Sequence, residues 1–227
     1  MPQSLFVNEI YRSIQGESTW AGLPCVFVRL TGCHMRCHYC DTEYAHHEGT
    51  RRTVAEVFED AHGYDTKLIE VTGGEPLLQP GVHPLMTRLC DAGHTVLLET
   101  GGGCDISACD SRVIRILDIK TPGSGESQRN IWSNLAHLTP RDEVKLVICD
   151  RADYEWARDV IDQHRLAERT RSVLMSPVGA MPAGLEIAGV AGLEPSDLAA
   201  WILDDGLDVR MQVQLHRVVW GPTVRGV

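Results

Sequence analysis

Long apolar runs are missing from this chain. No stretch approaches the ~18 consecutive apolar residues of a membrane helix, so no helical span is expected. The opening residues 1–9, MPQSLFVNE, lack a basic start and a long apolar stretch, so no targeting segment is expected either. A surplus of positive charge is also missing. Lys and Arg total 21 against 31 Asp and Glu, a net charge of −10. That argues against non-specific nucleic-acid binding, which needs a basic footprint. Repeats and low-complexity linkers are absent, and 227 residues suit one domain spanning 1–227. A hydrophobic fraction of 43% is enough for a full core.

Cysteine is not scarce. There are eight, at 25, 33, 37, 40, 90, 104, 109 and 149. Without a leader they read as metal ligands plus inert core thiols in a reducing cytoplasm, not as disulfides. Three of them, Cys33, Cys37 and Cys40, fall in one short loop. A four-iron cluster with three thiolates keeps one iron open for another ligand. A zinc knuckle completed by His34 or His38 is the alternative, since structural zinc takes four protein ligands. Cys104 and Cys109 lack a further nearby pair and read as loop or core thiols.

Around this loop the chain alternates strands and helices. Strands are expected at 25–30, 67–71, 95–99, 113–119, 144–148 and 173–175, with a late one at 209–214. Helices are expected near 53–62, opened by a Thr53–Glu56 capping box, and near 83–92, 152–164 and 195–205. Residues 121–140 read as a loop with one turn near 132–136. The pattern predicts an α/β fold, a mostly parallel sheet with crossover helices. Ligands in such sheets gather at the carboxyl ends of the strands.

One strand runs straight into Thr72-Gly73-Gly74-Glu75-Pro76. Paired glycines let a ligand come close to backbone, though most such pairs are plain turns. About forty residues after three spaced cysteines, the segment resembles the cofactor-binding element of the radical S-adenosylmethionine (SAM) superfamily. The resemblance narrows with Ile14-Gln15-Gly16-Glu17, Arg29, Asp41-Thr42, Glu99-Thr100-Gly101-Gly102, Asp118-Ile119-Lys120 and Gln214-Leu215-His216-Arg217. Over nearly the whole chain these resemble the 7-carboxy-7-deazaguanine synthase family of queuosine biosynthesis.

The resemblance implies a partial radical SAM barrel of about six strands. It implies conversion of 6-carboxy-5,6,7,8-tetrahydropterin to 7-carboxy-7-deazaguanine with loss of ammonia, through a 5′-deoxyadenosyl radical made from SAM. It implies a [4Fe–4S] cluster on Cys33, Cys37 and Cys40, SAM on the fourth iron, and Mg2+ at Thr42. SAM contacts would come from Tyr39, Cys40, Asp41, Gly74, Glu75, Asp118, Ile119, Lys120, Ser176, Pro177, Val178 and Gly179. Substrate contacts would come from Ile14, Gln15, Gly16, Glu17, Arg29, Thr72 and Pro222. A homodimer and a flavodoxin or ferredoxin as electron donor are implied too.

The residues also admit plainer readings. Gln15-Gly16-Glu17 could be a solvated turn, and Thr42 could cap one. Arg29, inside an apolar strand, needs a partner, which a substrate carboxylate or an internal acid could supply. Lys145 poses the same question more weakly, and Glu99 could hold a ribose or face solvent. Three departures from the family stand out: Ser18 where glycine is frequent, Asp118-Ile119-Lys120 where Ser-Pro-Lys is frequent, and a tail a few residues longer. The alternatives are an activase that abstracts hydrogen from a partner's glycine, and a non-catalytic zinc module.

Overall fold

The computed structural model describes residues 3–180, 192–221 and 224–226. In chain order it contains β1 (Ser4–Ile14), β2 (Pro24–Leu30), β3 (Thr50–Thr53), α1 (Val54–His62), β4 (Leu68–Gly73), α2 (Val82–Asp91), β5 (Thr95–Thr100) and β6 (Ile114–Asp118). There follow β7 (Glu143–Ile148), α3 (Arg151–His164), α4 (Leu166–Arg169), β8 (Ser172–Pro177), α5 (Pro195–Asp205), β9 (Arg210–Met211) and α6 (Leu215–Trp220). All nine strands join one sheet in the order β3-β1-β2-β4-β5-β6-β7-β8-β9. From β2 to β9 every pairing is parallel, and β1 and β3 pair antiparallel at one edge. Among the described residues nothing joins β9 back to β3, so the sheet is an open, partial barrel.

The six strands expected from sequence are the parallel run β2 to β8. Two strands were not expected. In β1, polar Asn8, Glu9, Arg12 and Ser13 interrupt the apolar pattern, and a register irregularity falls between Val7 and Glu9. In β3 the run Thr50-Arg51-Arg52-Thr53 has no apolar residue and forms only by pairing with β1. The strand expected over 209–214 shrinks to Arg210–Met211, because Gln212 and Gln214 turn their amides inward (below). The loop at 121–140 is present, folded into three short 3-10 turns, the last at Trp132–His137.

Successive side chains of a strand face opposite ways, so each strand here has two jobs. On the outer face, Val26, Val28, Ile69, Val71, Val96 and Leu98 pack under α1 and α2. Further along, Leu117, Val144, Leu146, Val173 and Met175 pack under α3 and α5. Fully burying each such side chain contributes about 1.5–3 kcal/mol. The helices that cover them are locally specified. Thr53 Oγ1 accepts from Glu56 N at 3.2 Å while the Glu56 carboxylate accepts from Thr53 N at 2.7 Å. That is the capping box expected from sequence.

One polar clamp crosses the outer frame. Asp142, fully buried, accepts from Arg115 N and Nε at 2.8 and 3.1 Å and from Arg115 Nη2 at 2.6 Å. It also accepts from Thr139 N and Oγ1 at 2.7 and 2.9 Å. Removing one partner of such a pair strands the other charge in a dry interior. Asp142→Ala is expected to cost roughly 3–5 kcal/mol of unfolding free energy, read as a lowered urea midpoint.

Candidate active site

The inner face of the sheet is unlike the outer one. Phe27, Leu97, Ile114 and Ile116 form an apolar floor at one end. Toward the carboxyl ends of the strands the inner positions turn polar: Arg29 on β2, Glu70 and Thr72 on β4, Glu99 on β5, Asp118 on β6, Lys145 on β7 and Ser176 on β8. These residues line a cavity of about 590 Å³. Its size falls in the usual range of ~300–1,000 Å³ for small-molecule sites.

Burying charges is costly unless they are paired, and here they are. Lys145 is the hub. Its Nζ lies 2.9 Å from Glu17, contacts Glu99, and lies 3.4 Å from Asp118. Asp118 also pairs with Lys120 at 3.0 Å. Burial alone would depress the Lys145 ammonium, but Glu17, Glu99 and Asp118 hold it well above its ordinary range. Its stabilising contribution is therefore complete below the unfolded value near 10.4 and is lost only above it. Asp118 Oδ1 and the Tyr39 hydroxyl are buried without a hydrogen-bond partner among the described residues. Both sit beside Lys120, whose Nζ is 5.9 Å from the Tyr39 ring centroid.

The cysteine loop follows β2 and borders the same cavity through Cys33, Cys37 and Cys40. Burial pushes the Cys37 thiol up to about 11 and raises the Cys33 and Cys40 thiols as well. The loop is held from below by Glu126, which accepts from Arg36 N at 2.7 Å. Gly74 explains the paired glycines: a Cβ there would lie 2.4 Å from Gly32 O and 2.7 Å from Cys33 Cβ. The donor set fits an iron–sulfur cluster. The histidines needed for a zinc knuckle turn elsewhere: the His34 ring packs on Gly103 and the His38 ring on Gly125. His46, not singled out from sequence, brings Nε2 to 3.8 Å from Cys40 Sγ.

The cavity brings together most residues singled out from sequence. Ile14, Gln15, Gly16 and Glu17 close one side. Tyr39, Asp41 and Thr42 stand by the cysteines, and Thr72, Gly74 and Glu75 end β4. Asp118 and Lys120 face Ser176, Pro177, Val178 and Gly179 across β7. Ile119 sends its side chain into the outer core with Leu117 and Leu146, because it lies one residue out of phase with Asp118 and Lys120. Pro222 lies outside the described residues.

Four other residues are more committed than the sequence suggested. The Glu75 carboxylate accepts from Thr100 Oγ1, Gly101 N and Leu77 N at 2.9–3.0 Å, so it braces the glycine turn against β5. Arg29 does have an internal partner: Nε donates to Glu9 at 2.8 Å and Nη2 to Tyr11 Oη at 2.9 Å. Gln15 is buried, with Oε1 accepting from Glu17 N at 3.0 Å and Nε2 donating to Glu70. Glu99 is not a surface carboxylate, since it pairs with Lys145.

Sequence reasoning missed Glu70, Glu143 and Gln212. Glu143 accepts from Thr19 N at 3.0 Å. Gln212 accepts from Ser18 N at 2.7 Å and donates to Ser176 Oγ at 3.0 Å. An acid at alternate positions of an apolar strand, as in Glu70 and Glu143, was the available signal. For Gln212 no sequence signal existed.

The closing wall is the carboxyl-terminal segment. Leu215 N donates to Gly16 O at 2.9 Å, and Gln214 Nε2 donates to Glu17 Oε1 at 2.8 Å. The His216 ring packs so tightly on Gly16 that a Cβ there would lie 2.4 Å from Nδ1. Ser18 adopts φ 66°, the left-handed region that favours glycine. This accounts for the family's frequent glycine.

Fold and loop together define a radical SAM enzyme, an iron–sulfur protein that uses SAM. The family model "Radical SAM superfamily" matches residues 27–165. The 7-carboxy-7-deazaguanine synthase of Koribacter versatilis is 45% identical over 97% of this chain and 99% of its own. That of Chlorobaculum tepidum is 46% identical over 98% and 97%. The crystal structure of QueE from Escherichia coli superposes with a TM-score of 0.73 at 19% identity, covering 94% of this chain and 95% of that one, a likeness of fold. The chain belongs to the 7-carboxy-7-deazaguanine synthase family.

Two outcomes follow from this geometry. Ser18→Gly is expected to raise stability by about 0.5–1 kcal/mol, by relieving the left-handed strain; a raised denaturant midpoint would show it. Lys145→Met leaves Glu17, Glu99 and Asp118 without their shared cation. It is expected to cost roughly 3–5 kcal/mol and to abolish turnover in the loaded enzyme.

Proposed function

We propose that the protein converts 6-carboxy-5,6,7,8-tetrahydropterin to 7-carboxy-7-deazaguanine with release of ammonia. The observation that carries this reading is the shared cavity: the Gln15–Glu17 segment, the three cysteines and the band of buried ion pairs line one space. Full-length likeness to proteins named for that product supports it. A walled cavity also suits a small molecule better than the polypeptide groove an activase needs.

Cys33, Cys37 and Cys40 would hold three irons of the cluster. Gly74, Tyr39, Asp41, Asp118, Lys120 and Ser176–Gly179 would hold SAM. When bound, these two groups supply the one-electron chemistry that removes a hydrogen atom from substrate. The rest falls to the protein's own side chains. Among the described residues Arg29 gives two of its five N–H donors to Glu9 and Tyr11, and the other three would take the substrate carboxylate as a fork. Thr72, one residue in phase beyond Glu70, would touch the same molecule. Thr42, a hydroxyl at the cavity edge, suits Mg2+, a hard cation that prefers oxygen. The wall built by Leu215 and His216 would exclude bulk water.

The same reading carries a flavodoxin or ferredoxin as electron donor, a homodimer as working unit, and a cytoplasmic location without nucleic-acid contact. Among the described residues no helix is long and apolar enough to cross a membrane. The test is anaerobic reconstitution with SAM, reductant, Mg2+ and carboxytetrahydropterin. Deazaguanine product is expected from the native chain and none from the triple Cys→Ala variant. Equal amounts from both would end the proposal.

A further inference from the structure

Among the acids around Lys145, Glu70 stands apart. Glu17, Glu99 and Asp118 each touch a lysine, whereas Glu70 forms no ion pair among the described residues. It is only 2% exposed, on the inner face of β4, and lines the cavity. Its carboxyl offers two oxygens with about four lone-pair sites. Among the described residues, one donor reaches it, Gln15 Nε2. That amide cannot turn over, because its Oε1 is fixed by Glu17 N. Burial, with Glu99 and Glu17 nearby, pushes the Glu70 carboxyl well above the usual carboxylate range, and hydrogen bonds donated to it by a ligand favour its ionised, acceptor form. A buried acid short of donors is costly unless a ligand supplies them.

The surrounding balance says what kind of ligand. Four carboxyl groups, Glu17, Glu70, Glu99 and Asp118, stand against two ammonium groups, Lys145 and Lys120, while the nearby Arg29 guanidinium is already paired with Glu9. Acceptors are in excess. Gln15, assigned from sequence as a reader of substrate, has both ends of its amide engaged internally, so its acceptor is spent on Glu17. An edge rich in N–H donors meets this floor best.

We propose that Glu70 is a specificity-determining residue that accepts hydrogen bonds from a donor-rich heterocycle edge, an amino group beside a ring N–H, with Gln15 holding it in place. This rests on the carboxytetrahydropterin reading and names which end of that molecule enters first. Arg29 lies on the neighbouring strand β2, paired in register with Thr72 rather than with Glu70. A bicyclic substrate would thus lie along the strands, its amino-pyrimidinone end deep and its carboxylate outward.

The test compares 6-carboxypterin, which has the 2-amino group, with 6-carboxylumazine, which carries oxygen there. Binding is titrated by ligand fluorescence on anaerobic, reconstituted protein with SAM and no reductant. The native protein is expected to prefer the pterin at least tenfold. Glu70→Gln is expected to weaken pterin binding tenfold or more and lumazine binding less than threefold. Iron content, the SAM-induced change in the cluster's electron paramagnetic resonance signal and the thermal midpoint should stay near native. Glu70→Val, a strand-favouring replacement, is read the same way if the glutamine variant does not fold. Undiminished discrimination in either variant overturns the assignment alone, and so does an equal loss for both ligands. Failure of both variants to fold makes Glu70 structural and overturns it too. A native protein that binds neither ligand overturns the functional reading, and this inference with it.

Discussion

The structure depends on one ammonium group. Lys145 stands in the middle of a parallel sheet, in a strand whose outer face is Val144, Leu146 and Ile148. Parallel sheets are usually covered on both faces and apolar on both. Here only the outer face follows that rule. The inner face carries several ionisable groups, and each would cost several kcal/mol to dehydrate alone. Lys145 turns that cost into a network by joining the amino-terminal turn at Glu17, strand β5 at Glu99 and strand β6 at Asp118. Such a network adds little net stability over an apolar core of similar volume. Its value is positional, fixing where the next charges stand. The aliphatic packing under the four long helices carries the fold, which leaves the inner face free to be chemical.

The division explains what the sequence revealed. Outer-face residues are β-branched and aliphatic, so runs such as 25–30 and 144–148 read plainly as strands. The alternation of strands and helices then gave the parallel sheet, and the ends of the strands gave the site. Arg29 and Lys145 stood out because a cation inside an apolar strand needs a reason. Glu70 and Glu143 broke the same rule with the opposite charge, yet their strands were equally legible, and their partners are far away in sequence. β3 was invisible because four polar residues form a strand only when β1 is already beside them. The inward turn of Gln212 and Gln214 was invisible for the same reason.

Departures from the family pattern resolve into local physics. Ser18 occupies a left-handed position, yet its backbone N–H is held by Gln212 and its hydroxyl accepts from Trp20 N at 3.1 Å. These bonds offset part of the strain that glycine would avoid. The sequence Asp118-Ile119-Lys120 keeps alternation: the two charged residues face the cavity and Ile119 packs outward. The middle residue of that triplet therefore answers to the core, whatever its neighbours bind.

The two halves of the cavity are built by different means. The half with the cysteines comes from strands and the loops that directly follow them, so its pieces are brought together by strand pairing. Cys33 and Gly74 meet because β2 and β4 are paired neighbours. The opposite half joins residues that are remote: Ser18 with Gln212 across 194 positions, and Glu17 with Gln214 across 197. Long-range contacts form only after the intervening chain is ordered, since their loop-closure entropy is unrewarded before that. The two halves are nonetheless tied together, by Lys145 between Glu17 and Asp118 and by Gln214 between Glu17 and Asp41. The cavity therefore draws on both kinds of unit, with Arg29, Glu70 and Thr72 on the paired strands β2 and β4 and Glu17 and Ser18 on the wall closed by the carboxyl-terminal segment.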